Sequence, residues 1–419
     1  SMADVIGFSY TSPLAPSAYR CMEICKEELP GTVVVAGGPH PTIVPHESFD
    51  NQCIDYVVVG EGEVTFLELL KCLVNKDSLL KVQGICYRNG GDNSIIQNVP
   101  REAMDSLDKL PQINWNLFPN IEKYLQYSGN ALPVMTSRGC PYSCSFCQPT
   151  LDKIFGKKLR YRSPEKVIQE LSDLKKANLI KSFVFQDDTL TVQKSWVKEF
   201  CRLAKEKKLK LRFACNSRVD TLTEEMLKEM SEIGLYKIAL GVESGSQRVL
   251  DDILSKGTSL EKIIEIFDLT KKYGILANAF IMLGSPNETK EDIEKTIELL
   301  QRIKPNWVSC TRTVLLPETY MWEYSNKQGL LLADDDYLEH LHYADHSSKT
   351  HKINITDSEL RRLKNKLYRK WAFATITERA VLKIGIIFFT IVGTISPRLA
   401  RLLGNLLSRV IWVPPPVYS

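Results

Sequence analysis

The chain has 419 residues, too long for one ordinary domain and suited to two or three. Hydrophobic side chains make up 44% and charged ones 25%, which excludes a disordered or fibrous chain. A net charge of +4, from 54 basic and 50 acidic residues, is too weak a bias for a nucleic-acid partner.

Eleven cysteines are an odd number, and the opening Ser1-Met2-Ala3-Asp4 lacks the basic-then-apolar pattern of a secretory signal. Free thiols in a reducing, cytoplasmic compartment are therefore expected rather than a disulfide framework. Val5 to Ser9 reads as a buried strand, followed by a helix over Ser17 to Glu28. A second strand, Thr32 to Ala36, runs into Gly37-Gly38-Pro39-His40. A third, Asp55 to Val59, runs into Gly60-Glu61-Gly62-Glu63 and a helix over Thr65 to Leu73. Strands that alternate with helices and end in glycine turns predict a parallel sheet with its ligand at the carboxyl ends. Three strands leave the faces and edges of such a sheet short of cover. Either residues 1–100 lean on the neighbouring domain or they are the later part of a larger α/β domain, and the second is expected. His40, in a loop, is expected to be solvated.

Residues 101–130 read as a linker and 131–335 as a second domain. It opens with a strand, Leu132 to Thr136, the turn Arg138-Gly139, and then Cys140-Pro-Tyr-Ser-Cys144-Ser-Phe-Cys147. Three thiolates within eight residues can converge on one soft metal centre. Zinc held by three cysteines and a water is one reading. A structural zinc would want a fourth ligand nearby; Cys201 and Cys215 are far off, and no histidine lies between His46 and His340. An iron–sulfur cluster with one open iron needs no fourth. Helix and strand then alternate: Pro164 to Lys175, Ser182 to Gln186, Ser195 to Lys207, Lys210 to Cys215, Glu224 to Ile233, Lys237 to Leu240. The alternation continues through Leu260 to Tyr273, Leu276 to Leu283, Lys290 to Arg302 and Trp307 to Leu315. Six strand–helix units predict a partial (β/α)6 barrel with polar residues at the strand ends, where such barrels place their sites.

The C-x3-C-x2-C spacing, with aromatic Phe146 before the last cysteine, resembles the signature of the radical S-adenosylmethionine (radical SAM) superfamily. The resemblance implies that Cys140, Cys144 and Cys147 hold a [4Fe–4S] cluster whose open iron chelates SAM. It implies cleavage of SAM to a 5′-deoxyadenosyl radical, with the cofactor carrying the chemistry and the protein positioning it. An electron donor such as flavodoxin or ferredoxin is implied too. By position, Phe146, Asp187, Asp188 and Arg218 would line the SAM pocket, and Glu243 and Ser244 would meet its ribose or amino group. Gly284 and Pro286 would form the turn against adenine. From the residues alone, Asp187 and Asp188 read equally as a helix cap and a solvated neighbour, and Arg218 as a surface charge. Asn287 and Glu318 stand where relatives have glycine, and Asn287 is expected to make its turn in the left-handed conformation.

Gly37-Gly38-Pro39-His40, with Asp55 to Glu63, resembles the second half of a cobalamin-binding domain. Such a domain precedes the barrel in one large subfamily, and the resemblance runs from about Asp4 to Asp335. It implies that Ser9, Thr11, Ser12, Gly37 and Gly38 line the pocket for the nucleotide tail. Relatives begin with two further strand–helix units, about 70–80 residues, that carry other loops of the pocket. Weak or no cobalamin binding is the resulting expectation for this chain by itself.

Residues 336–419 read as a helical extension, basic then apolar. His340, His342, His346 and His351 lie in a polar stretch and are expected to be solvated. Arg361 to Lys370 is a basic helix, and Ile384 to Ile395 runs twelve residues without a charge, short of the about 20 that span a bilayer. The pair suits burial against the barrel, and otherwise peripheral contact with a membrane. The reading is an α/β radical enzyme that methylates an unactivated carbon or phosphorus of a small, hydrophobic molecule. Radical cyclisation, as in anaerobic magnesium-protoporphyrin monomethyl ester cyclase, is the alternative. A non-catalytic metal-binding module at a membrane is the rival from another class; it would need cysteines without a SAM site.

Overall fold

The computed structural model describes residues 3–127, 131–176, 180–332 and 350–374. The chain starts with β1 (Val5–Ser9), α1 (Ala15–Glu28), β2 (Val33–Gly37), α2 (Pro39–Ile43), β3 (Tyr56–Val58) and α3 (Gly62–Asn75). It continues through β4 (Ile85–Arg88) and β5 (Ile95–Gln97), and the five strands lie side by side in sequence order. The first three are parallel, as expected; β4 and β5 pair antiparallel and cover the β3 edge. The hairpin is a correction to the three-strand reading. Its turn, Asn89 to Ser94, closes through an Asn89 N–H bond to the Ser94 carbonyl at 2.8 Å, with Asn93 in the left-handed region. The stretch after Gly38 is also helical rather than loop. His40 on α2 is fully buried, not solvated: its Nδ1 lies 3.0 Å from Ser12 Oγ and its Nε2 3.3 Å from the Tyr19 hydroxyl. Burial lowers its pKa to about 4, so the ring is neutral.

The second sheet begins after α4 (Ile121–Tyr127) with β6 (Ala131–Val134). Around the cysteines come β7 (Ser137–Arg138), α5 (Thr150–Phe155) and β8 (Arg160–Tyr161). The repeating units follow: α6 (Pro164–Lys176), β9 (Ser182–Phe185), α7 (Lys194–Glu206), β10 (Phe213–Ser217), α8 (Glu224–Glu232), β11 (Leu235–Glu243), α9 (Leu260–Lys272), β12 (Leu276–Leu283), α10 (Lys290–Ile303) and β13 (Trp307–Arg312). Six parallel strands take the order β13-β12-β11-β10-β9-β6, so sequential strands are neighbours, as in an open barrel. Each helix covers the sheet with one apolar stripe. On α7 that stripe is Trp196, Val197, Phe200, Cys201 and Ala204, at helical spacing. Phe200 meets Phe185 and Phe213 edge-on at 5.7 and 6.2 Å and stacks on Trp196 at 5.3 Å. Thr223, Ser259 and Thr289 cap the next three helices, the last in a box with Asp292. Strand β10 starts at Phe213, not Lys210, because the exposed Lys210 and Arg212 precede the paired register.

After α11 (Tyr320–Lys327), the basic helix appears as α12 (Asp357–Ala374). It buries Leu360, Leu363, Leu367 and Trp371, packs on α10, and ties Trp371 Nε1 to the Pro305 carbonyl at 2.8 Å. Its apolar face is therefore covered by protein. His351 is buried too, against expectation, and its Nε2–H donates to the Gly284 carbonyl at 2.8 Å. His340, His342, His346 and the apolar run from Ile384 to Ile395 lie outside the described residues. No described helix is long and apolar enough to cross a membrane.

Candidate active site

The carboxyl ends of β9, β10 and β11 and the cysteine loop enclose a cavity of about 280 Å³. Cys140, Cys144 and Cys147 line it, together with Phe146, Asp187, Asp188, Arg218 and Glu243. All three cysteines are free thiols. They stand around the cavity rather than on one point: among the described residues, no three His, Cys, Asp or Glu side chains are disposed to hold a single metal ion. Burial pushes the Cys147 and Cys140 thiols above their ordinary range, so a metal would have to displace protons there.

Asp187 is no solvated cap. Its Oδ1 accepts from Thr136 N–H at 3.0 Å, Thr136 Oγ1 at 2.7 Å and Ser137 Oγ at 2.5 Å, tying β9 to the start of the cysteine loop. Its Oδ2 is buried with no hydrogen-bond partner among the described residues. Burial raises its pKa, against those donors. Asp188 opens to solvent through the cavity although protein surrounds most of it; burial and the neighbouring Asp187 charge raise it to about 6. Arg218 is buried as well, not a surface charge.

Glu243 sits where β11 bulges, with a φ of 62° that is rare for a glutamate. Its Oε1 meets Lys256 Nζ at 2.9 Å, directly over Gly241. A Cβ on Gly241 would lie 2.6 Å from both atoms of that pair, so a larger residue there would push the ends of both side chains aside. Lys256 went unrecognised in the sequence: it lies thirteen residues past its partner, in a turn with no motif.

Three expected residues lie off the cavity lining. Ser244 turns away, its hydroxyl 3.3 Å from Thr296 Oγ1. Gly284 and Pro286 form the turn after β12, where the Glu288 carboxylate accepts from the Gly284 and Ser285 N–H groups. Asn287 adopts the left-handed conformation as expected, and Glu318 does so in the other turn. A second hollow of about 450 Å³ shares Gln186, Asn216, Ala239 and Phe280 with the first and continues into the barrel.

A third cavity, about 490 Å³, lies between the two sheets. Ser9, Gly37 and Gly38 line it from one side, with Phe8, Val58 and Phe66; Met135, Arg138, Ile154 and Phe155 line it from the other. Gly38 has a φ of 89°, and a Cβ there would reach 2.7 Å from Ser9 Oγ. Of the expected set, Thr11 and Ser12 lie outside this lining, Ser12 being buried against His40. Glu61 closes one end. Its Oε1 accepts from Arg138 at 2.7 Å and Arg160 at 3.1 Å; its Oε2 accepts from Arg160 at 2.8 Å and Met104 N–H at 3.0 Å. One carboxylate thus joins the first sheet to both flanks of the cysteine loop.

The sequence profile of the Radical SAM superfamily matches residues 134–300, and that of the B12 binding domain matches residues 1–70. An uncharacterized methyltransferase of Pyrococcus horikoshii is 34% identical over 78% of this chain and 71% of its own length. Anaerobic magnesium-protoporphyrin IX monomethyl ester cyclase of Rubrivivax gelatinosus is 30% identical over 74% of this chain and 56% of its own. The radical SAM methyltransferase TsrM of Kitasatospora setae, solved with cobalamin and a [4Fe–4S] cluster, superposes with a TM-score of 0.68 at 17% identity. It covers 78% of this chain and 65% of that one. The chain thus spans between about half and seven-tenths of the curated relatives it matches. The matched domains, the 34% relative and the six-stranded parallel sheet make the chain a member of the radical SAM superfamily, in its branch with a B12-binding domain. It is an enzyme of that family, whose cofactors are a [4Fe–4S] cluster and SAM.

Proposed function

We propose that Cys140, Cys144 and Cys147 hold the cluster, that Asp187, Asp188, Glu243 and Phe146 receive SAM, and that the chain methylates an unactivated carbon or phosphorus with cobalamin. The observation that carries this is the single cavity in which three thiols face the carboxylates at the ends of β9 and β11. The residues present fit the groups. Thiolates beside a guanidinium and an ammonium suit an anionic cluster, and the orphaned Asp187 Oδ2 suits an ammonium donor. When bound, the cluster supplies one electron to the sulfonium of SAM, releasing methionine and a 5′-deoxyadenosyl radical. The protein's own part is to orient: Asp187 braces the cysteine loop through Thr136 and Ser137, and the Glu243–Lys256 pair presents a fixed carboxylate.

The hollow that runs on into the barrel supports a small substrate lodged beside the SAM site. Cyclisation is a second reading, supported by the 30% relative. Anaerobic reconstitution with iron, sulfide and hydroxocobalamin, followed by product analysis with SAM under a strong reductant, tests both. Methylation predicts S-adenosylhomocysteine beside 5′-deoxyadenosine; cyclisation predicts 5′-deoxyadenosine alone. Neither product from a chain loaded with iron would overturn the reading.

Glu243→Gln is expected to weaken SAM binding while the cluster's absorbance persists. Losing one charge-assisted bond costs about 1.5–3 kcal/mol, roughly ten- to hundredfold in affinity. Unchanged SAM affinity in calorimetric titration would leave Glu243 as a partner of Lys256 only.

The cavity between the sheets is the proposed seat of cobalamin. The expectation of weak binding counts only the loops of the first sheet; Met135, Arg138, Ile154 and Phe155 add an opposing wall. Equilibrium dialysis with hydroxocobalamin should therefore give saturable binding that Ile154→Glu, which sets a charge in an apolar wall, weakens at least about tenfold. Equal affinity in both proteins would refute this seat.

A further inference from the structure

Arg218 follows β10, is 5% exposed, and carries five N–H donors in a rigid fork. Four of them have partners. Nε and Nη2 each donate to Asp220 at 3.0 Å, Nη2 donates also to the Lys256 carbonyl, and Nη1 donates to Cys144 Sγ at 3.1 Å. The Tyr142 ring lies under the guanidinium, 3.7 Å from Cζ to centroid. A side chain gripped by a carboxylate, a carbonyl and a ring cannot swing aside. Its donor is aimed at the sulfur before any ligand arrives.

We propose that Arg218 is a positioning residue that tunes the cluster: its Nη1–H donates to the Cys144 thiolate and raises the cluster's reduction potential. The inference rests on the cluster reading above. Reduction adds negative charge that spreads onto the ligating sulfurs. A fixed cation with a hydrogen bond to one sulfur stabilises that state more than the oxidised one. Contact of Arg218 with the cosubstrate would be a separate property of the same side chain.

The test is a dithionite titration of the reconstituted full chain without SAM, followed by electron paramagnetic resonance. Arg218→Gln is expected to shift the reduction equilibrium at least about tenfold toward the oxidised cluster, which is 59 mV for one electron. Arg218→Lys keeps the charge but not the fork and is expected to shift it less, in the same direction. Should the Gln variant fail to assemble its cluster, the Lys variant decides. A variant that holds its iron and titrates like the wild type overturns the inference, even if SAM affinity falls. A wild-type chain that takes up no iron overturns the cluster reading and this one together.

Discussion

Cys144→Ala is expected to leave a folded protein that neither retains iron nor forms 5′-deoxyadenosine. Cys144 is buried at the middle of the cysteine loop, where its Sγ meets Arg218, and two remaining thiols cannot hold three irons of a cluster. The stability cost should be modest, roughly 1 kcal/mol, because only one sulfur is removed beside an existing cavity. Iron analysis should fall from about four per chain to near zero. Cleavage of SAM should fall to the level of cluster-free protein. Cys201→Ala, buried on α7 away from the cavity, is the control that should keep both. SAM cleavage that survives the loss of any one of Cys140, Cys144 or Cys147 would refute the assignment.

Glu61→Ala should be among the most destabilising single changes at the junction of the sheets. The Glu61 side chain is 8% exposed, and its removal takes the carboxylate from Arg160, itself 4% exposed and otherwise bonded to the Met104 and Phe155 carbonyls, and half of the bonding from Arg138. Breaking one side of such a buried pair costs about 3–5 kcal/mol. A urea midpoint equal to the wild type's would show that the pair is dispensable. The same site predicts an acid dependence. Burial alone would raise the Glu61 carboxyl, but bonds from Arg160, Arg138 and Met104 hold it below the usual carboxylate value. A depressed folded-state pKa gives stability that is fully present above the unfolded value near 4.5. That stability is lost as pH falls through the folded one. Glu61→Gln should therefore be less stable at neutral pH, yet lose less stability than the wild type on acidification below 4.5, measured by denaturant melts across pH.

Much of this was legible because barrels repeat. Apolar runs of four to nine residues between amphipathic helices gave all six strands, with β6, β9 and β12 close to their ends and β10, β11 and β13 off by two or three residues, and polar residues at their ends marked the cavity wall. The cysteine spacing is local and needs no tertiary knowledge. What stayed hidden depends on long-range contact. The β4–β5 hairpin has short strands whose Asn-Gly-Gly-Asp turn was there to be read, but neither strand carries a strong alternation. Glu61 looked like the tail of a strand, and its two arginines stand 77 and 99 residues away. His40 and His351 are polar residues in polar stretches; only the packing of α2 and the segment after 350 buries them. Ser244 follows Glu243 by one residue, yet the bulge and the turn beyond it send the two side chains apart.

Residues 135–155 have a room on either side. Met135, Arg138, Ile154 and Phe155 face the space between the sheets; Cys140, Cys144, Cys147 and Leu151 face the space at the strand ends. The partition includes α5, a single short helix about 9 Å long at 1.5 Å per residue. Any occupant that pushes this partition does work on whatever sits behind it. By linkage the effect is mutual: the factor by which a ligand in one room changes affinity in the other is returned unchanged in the opposite direction. A coupling between the two proposed sites across this partition would therefore read the same from either side, each occupant gauging the other.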